Sequence, residues 1–409
     1  MITVLRAEPR FARWALAEGV SMAGSSLSLL VLPVLVYDLS GSASLTGLLF
    51  ATRLVPYLLF GLIAGPVADR WNRRTLIIGG NVIEGVLAAT IPVAAAFDVL
   101  TVGQIFVVTF LMATAFVFSD AAVFGAVPAL VGKDHLAAAN GALTTLASAA
   151  DIVGPVAAGL LIATVGAATA VLIDAGSFLV AAAVQLTIRS DFRRSGPSAG
   201  QRSIRAQLRT AGAFIRRQRT ILTLTAAGFG NSLAIGIVFG LLVPWSIEIL
   251  GYRTDDARLG VLYAAIGVGS LVAGLTFARA FAIHRIRLLT PLTLACSAAA
   301  SVVLLIPSGW LAPALVAVLF ASVMLTITIG ITYRQLATPD DLTSTVNTIG
   351  RMIAAGGQPL GATIGAGVAA ITTVRTAYTT ASVLFAVTAV LALVGLRSVE
   401  PELADVESA

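Results

Sequence analysis

The sequence predicts an all-α integral membrane protein of twelve transmembrane helices, arranged as two six-helix bundles. Three observations carry that expectation. Of 409 residues, 58% are hydrophobic and 11% charged, with a mean hydropathy of +0.96, more apolar side chain than a water-soluble core of this size can enclose. Apolar runs of about twenty residues, the length a bilayer demands of a helix, recur along the whole chain. Between them the arginines fall preferentially into every second loop.

In the first half the runs lie near 13–37, 44–66, 75–97, 103–131, 137–163 and 168–188. In the second they lie near 221–249, 258–280, 287–307, 311–333, 342–373 and 376–397. Arg6, Arg10 and Arg13 precede the first run, which is too long for the apolar core of a signal peptide and is expected to stay as the first helix. The runs 103–131 and 342–373 exceed a membrane's need and are expected to include interfacial turns. With the N-terminus inside, 21 of the 26 basic residues fall in inner segments and three (Arg253, Arg258 and Arg375) in outer loops. That imbalance sets an even number of spans with both termini cytoplasmic, in the cell's inner (plasma) membrane.

The expected organisation is an N-terminal six-helix bundle (1–188), a basic cytoplasmic linker (189–219), a C-terminal six-helix bundle (220–399) and a short acidic tail (400–409). The linker is broken by Ser195-Gly196-Pro197-Ser198-Ala199-Gly200; beyond it, Ile204 to Ile215 alternates arginine and apolar residues at helical spacing, as a helix lying on the inner membrane surface would. The halves echo one another. Gly24-Ser25-Ser26-Leu27 matches Gly230-Asn231-Ser232-Leu233, and Leu130 and Leu136 around Asp134 match Leu336 and Leu342 around Asp340. Gly47-Leu48-Leu49-Phe50-Ala51 likewise parallels Gly260-Val261-Leu262-Tyr263-Ala264. Composition excludes other classes. A single cysteine, Cys296, rules out an internal disulfide. His135 and His284 stand apart in loops, so neither a metal site nor a catalytic cluster is expected, and no cofactor. The net charge of +6 lies beside apolar runs, a topology signal and not a nucleic-acid surface.

One loop stands out: Gly65-Pro66-Val67-Ala68-Asp69-Arg70-Trp71-Asn72-Arg73-Arg74. Its G-x-x-x-D-R-x-x-R-R spacing resembles the loop between helices 2 and 3 of major facilitator superfamily transporters. The resemblance implies that Gly65 lets helices pack closely, and that Asp69, Arg70, Arg73 and Arg74 form a cytoplasmic gate. Read from charge alone, the same loop only sets topology. Gly154-Pro155-Val156-Ala157-Ala158-Gly159 is similar to an element typical of proton-driven antiporters, with Ala158 in place of a glycine. It implies that Gly154, Pro155 and Gly159 admit a neighbouring helix. Ser28 to Tyr37, Leu136 to Asn140, Asp174 to Phe178 and Tyr333 to Leu336 resemble the enterobactin-exporter and macrolide-efflux group. Two departures stand out: the gate loop's counterpart around Arg279, His284, Arg285 and Arg287 lacks the acid, and Phe118 to Ala122 lacks the arginine common in antiporters.

An ionisable group inside a span costs about 2.5–3.5 kcal/mol on insertion scales, so each needs a reason. Glu18, Arg53, Asp120, Asp151 and Arg351 are the candidates for proton coupling or for a charge lock, with Asp151 near the middle of the fifth run and Arg351 on the same, cytoplasmic side as Asp69 and Asp120, where it is expected to lock the halves together. Glu84 and Asp174 are expected to be structural, Asp174 by pairing with Arg53. Asn231, Trp245, Asn347 and Gln358 are candidate substrate-cavity residues. No G-x-x-x-x-G-K-[ST] phosphate loop occurs, so ion coupling is the expected energy source. The resemblance implies a monomeric secondary transporter, not an enzyme, that exports amphipathic small molecules (a drug, antibiotic or siderophore) in exchange for protons. An importer or lysophospholipid flippase on the same architecture is the alternative.

Overall fold

The computed structural model describes residues 8–132, 135–188, 204–280 and 285–397. Lys133, Asp134, the linker from Arg189 to Ser203, His284 and the acidic tail lie outside the described residues, as do the side chains of Asp69 and Asp340. The described residues are helical, with no strand. In chain order the first helices are α1 (Pro9–Ser40), α2 (Ala43–Arg70), α3 (Arg73–Ala96), α4 (Val102–Val131), α5 (Leu136–Val165) and α6 (Ala167–Thr187). There follow α7 (Ile204–Arg217), α8 (Arg219–Gly240), α9 (Leu242–Glu248), α10 (Arg258–Ala280), α11 (Ile286–Val303), α12 (Ala312–Ala337), α13 (Asp340–Ile371) and α14 (Val374–Arg397).

Short polar residues set the boundaries. Ser42, Asn72 and Thr101 accept hydrogen bonds from the backbone N–H groups of Leu45, Arg74 and Gln104 at 3.2, 3.0 and 3.2 Å, capping α2, α3 and α4. Proline starts α1, and Gly41 ends it at φ 60°, the left-handed conformation that glycine adopts without strain. The runs 103–131 and 342–373 are continuous helices, α4 and α13, of 30 and 32 residues, so the expected interfacial turns are absent. The run 221–249 is instead divided at Leu241 into α8 and α9. Pro244 has no N–H to offer the carbonyl of Gly240, which weakens the helix there. Eleven helices among the described residues are long and apolar enough to cross a membrane. Helix α13 is not one of them: glycines, Gln358 and Pro359 dilute its apolar half.

Packing divides the chain into two units, Met1–Gly196 with Gly251–Gly267, and Pro197–Leu250 with Val268–Ala409. Residues 251–267 therefore group with the first unit and not with the C-terminal bundle expected for 220–399. Within unit 1, α1 packs on α5 and α6, α3 on α4 and α6, and α2 on α4. Unit 2 repeats the scheme: α8 packs on α13 and α14, and α11 on α12 and α14, while Gly269 of α10 abuts the Ala317 carbonyl of α12. The repeat extends to single residues. A Cβ at Gly24 would strike Ser177 of α6, and one at its sequence counterpart Gly230 would strike Thr388 of α14.

Helix α7 does not present its apolar face to lipid. Ala211 and Ile215 are buried in a cluster with Ile221, Leu224, Ile286, Ile329, Tyr333, Val346 and Leu396 of unit 2. Arg209, Arg216 and Arg217 are exposed. The bundle itself supplies the apolar partner that the amphipathic pattern requires.

Candidate functional site

Unit 1 lines a partly open cavity of about 400 Å³. Glu18 and Ser26 reach it from α1, Arg53 from α2, Glu84 from α3, Asp120 from α4, Asp151 from α5 and Asp174 from α6. Five carboxyls thus share one space with a single guanidinium. Small residues make this convergence possible, because they let the helices cross closely enough to aim side chains inward. At Gly154 a Cβ would sit 2.6 Å from Ser26 Cβ and 3.2 Å from the Ala23 carbonyl. Along the same α1–α5 seam, Ser26 Oγ donates to Asp151 Oδ1 at 3.1 Å. Asp151 is exposed, the most accessible of the five.

The remaining acids sit deeper. Ser28 Oγ donates a short hydrogen bond to Asp174 Oδ2, and Ser177 Oγ donates to the Asp174 carbonyl at 2.8 Å. Arg53 lies within electrostatic reach of Asp174, then Glu84, then Asp151. The expected Arg53–Asp174 partnership is therefore a through-space attraction. Glu84 and Asp174 are buried cavity residues, not the peripheral packing groups expected. A polar chain missed in the sequence reaches Glu18: Ser21 Oγ donates to Asn81 Oδ1 at 3.2 Å, Asn81 Nδ2 to Gln185 Oε1 at 3.1 Å, and Gln185 Nε2 to Glu18 Oε2 at 3.4 Å. An Asn and a Gln inside apolar runs were the available signal. Asp120 lies within electrostatic reach of Glu18.

The charged loop between α2 and α3 acts on backbone carbonyls of neighbouring helices. Arg73 is buried, and its Nη1 donates to the Gly125 carbonyl of α4 at 3.0 Å. Arg74 Nη2 donates to the Leu186 carbonyl in the last turn of α6 at 2.7 Å. Arg74 meets the end of α6, where carbonyls lack partners and the dipole is negative, whereas Arg73 reaches a carbonyl inside α4, more than a turn before Val131. Arg70 is exposed, and the Asp69 side chain lies outside the described ones. Gly65 departs from expectation: a Cβ there would meet nothing within 4 Å among the described residues, so it supports no close helix packing between them. Arg73→Ala is expected to lower stability by about 1.5–3 kcal/mol, the worth of a charged hydrogen bond, whereas Gly65→Ala should leave it unchanged or slightly raised. Thermal unfolding of the two purified variants in detergent checks the contrast.

The Gly154-Pro155-Gly159 element makes two different contacts. Gly154 faces α1, while Gly159 meets the start of α10, where its Cβ would lie 2.6 Å from the Ala257 carbonyl and 3.0 Å from Gly260 Cα. Pro155 is buried, and its carbonyl lies against Gly260. Beyond α9, Thr254 Oγ1 donates to Asp38 Oδ1 at the end of α1 at 3.0 Å. Asp256 caps α10 by accepting from Arg258 N at 2.8 Å, and the Arg258 guanidinium hydrogen-bonded to it holds its carboxyl below the usual carboxylate range.

None of the four expected substrate-cavity residues lines the unit 1 cavity; all belong to unit 2. Trp245 is a packing residue: fully buried, it donates from Nε1 to the Leu304 carbonyl at 3.1 Å and stacks on Tyr378 at 5.5 Å. Asn231 is also fully buried, with Nδ2 donating to the Val323 carbonyl at 3.4 Å and Oδ1 without a partner among the described residues. Asn347 and Gln358 are half-buried on α13. Arg351 is exposed on the same helix, in unit 2, whereas Asp69 and Asp120 belong to unit 1.

Compared with known families, residues 14–361 match the Major Facilitator Superfamily. The chain belongs to that family. Like other members of the Major Facilitator Superfamily it is a multi-pass membrane protein. It is 29% identical over 273 residues to the multidrug efflux pump Tap of Mycobacterium tuberculosis, a match covering 63% of this chain and 62% of Tap. It is 26% identical over 148 residues to macrolide efflux protein A of Streptococcus pyogenes, 36% of either chain. The chain thus spans less than two thirds of the length of the curated relatives it matches. Among solved structures, a bacterial homologue of the human lysosomal transporter Spinster, inward-facing and unoccupied, superposes with a TM-score of 0.76 at 13% identity, over 95% of this chain and 96% of that one. The nucleoside transporter NupG gives 0.75 at 12%, over 95% and 100%. These two likenesses establish the fold alone.

Proposed function

We propose that this protein is a secondary active transporter that exports amphipathic small molecules (a drug, antibiotic or siderophore) from the cytoplasm by proton antiport through alternating access. The carrying observation is the cavity in unit 1, where five carboxyls and one guanidinium meet in a membrane-embedded helix bundle. Charged groups are retained at such depth where they serve ion or substrate movement. The efflux relatives support export over import. In this reading Asp151, exposed to the cavity, exchanges its proton with cargo, and the bundles 1–188 and 220–399 move against each other. The loop from Gly65 to Arg74 holds one end of unit 1 together during that motion, and both termini are cytoplasmic in the plasma membrane.

The energetics suffice. One proton entering down 100 mV supplies about 2.3 kcal/mol, and each unit of pH difference adds about 1.4 kcal/mol. The test is transport of a panel of fluorescent amphipathic compounds in everted membrane vesicles with an imposed pH gradient. Accumulation that collapses with a protonophore supports the reading. Accumulation of the panel only in right-side-out vesicles, or accumulation indifferent to the gradient, overturns it.

A further inference from the structure

Two buried acids in the cavity have oxygens with no partner among the described residues. Glu84 is 5% exposed and Asp174 0%, and Glu84 Oε1 and Asp174 Oδ1 accept no hydrogen bond from those residues. Their neighbourhood follows from a helix crossing. A Cβ at Gly85 would lie 3.1 Å from the Ala175 carbonyl and 2.9 Å from Leu179 Cδ2, so α3 and α6 nearly touch where Glu84 and Asp174 immediately precede them. The two carboxyls lie within electrostatic reach of each other. Two carboxylates confined together out of water cannot both carry charge at modest cost; such a pair is relieved by holding a proton between its members.

The internal repeat acts as a control. Gly24 faces Ser177, and Gly230 faces Thr388, at equivalent crossings of α1 with α6 and of α8 with α14. Three residues before the facing hydroxyl stands Asp174 in unit 1 and Phe385 in unit 2, the latter fully buried. Four residues after the glycine stands Ser28 in unit 1, which holds Asp174, and Ala234 in unit 2, also fully buried. The same helix pair therefore packs around an apolar core in one bundle and around an acid and its hydroxyl donor in the other. Helix packing does not require the acid.

We propose that Glu84 and Asp174 form a carboxyl pair that holds one exchangeable proton, a second coupling site beside Asp151. Its part in export rests on the antiport reading; the proton itself does not. When the proton leaves for the cavity, the new carboxylate is answered by Arg53 of α2. The other charged groups facing the pair are Glu18 of α1, Asp120 of α4 and Asp151 of α5, so the pair exchanges with a cavity already rich in acceptors.

Infrared difference spectroscopy of the full-length protein in lipid nanodiscs tests the site without any substrate. A step to high pH is expected to bleach a protonated-carboxyl C=O band in the wild type. Asp174→Asn and Glu84→Gln should each remove that same band, the double variant should remove no more, and Asp151→Asn should keep it. Ser28→Ala, which alters only the donor to Asp174, should shift its frequency and guards against misfolding of the other variants. No such band in the wild type, a band that survives both single substitutions, two separate bands removed one by each variant, or an unshifted band in Ser28→Ala would overturn the pair. Wild-type transport indifferent to pH would instead sink the antiport reading while leaving this band in place.

Discussion

Replacing Asp151 by asparagine is expected to abolish pH-driven export while leaving folded yield intact. The carboxyl lines the cavity and, among the described residues, accepts a hydrogen bond from Ser26 at 3.1 Å. Asparagine preserves the side chain's shape and can still pair with that hydroxyl, so the α1–α5 seam keeps its contact. Gly267 packs on the Asp151 main chain, whose carbonyl would lie 2.8 Å from a Cβ built there, and the substitution does not touch that contact. What disappears is the group that gains and loses a proton. A proton carrying one net charge across 100 mV is worth about 2.3 kcal/mol, or roughly a fortyfold substrate gradient at about 1.4 kcal/mol per tenfold. Everted vesicles containing the variant should lose that gradient yet still equilibrate substrate. A variant that sustains the wild-type gradient removes Asp151 from the scheme.

The largest structural effect is expected at Gly361. A Cβ there would collide with the Leu233 carbonyl oxygen and lie 2.8 Å from its carbon. Both obstacles are backbone, so no rotamer change relieves them, and α8 and α13 must separate. Gly236 and Gly357 lie on the same seam, each against backbone of the opposite helix, so a local shift at Gly361 spreads along it. The cost of overpacking is typically about 1–3 kcal/mol, and Gly361→Ala should reach or exceed the upper end. Gly367→Ala on the same helix is the control. A Cβ there meets nothing within 4 Å, and alanine is the better helix former by about 1 kcal/mol, so that variant should be neutral or slightly stabilised. Size-exclusion profiles before and after heating in detergent separate the two. Equal profiles would mean that the seam is looser than its geometry requires.

The helices were legible in the sequence because length and apolarity, the two quantities a bilayer selects, are read directly from it. The division between α8 and α9 was also there to be read, in Pro244, but the surrounding leucines and valines masked it. Depth within a span was legible only roughly: Asp151 stood out near the middle of its run, yet Glu84 and Asp174 are the more deeply buried acids. What a given face meets was not legible. On α6, Asp174, Ser177 and Gln185 recur on one face and mark it as the inward side, but spacing alone did not show that Asp174 meets a cavity and Phe385, its counterpart, a packed core. Trp245 failed for the same reason: an indole N–H suits a ligand or a carbonyl equally, and only packing shows that it meets Leu304. Arg73 and Arg74 were found by motif, but their partners, the carbonyls of Gly125 and Leu186, belong to the backbone and leave no trace in residue identity.

The seams α1–α5 and α8–α13 meet through glycine, with Gly154 on one and Gly236, Gly357 and Gly361 on the other. At these crossings the spacing of the two helices is set by main chain and small side chains, so the residues least forgiving of an added methyl group are also the ones that fix how tightly each bundle closes.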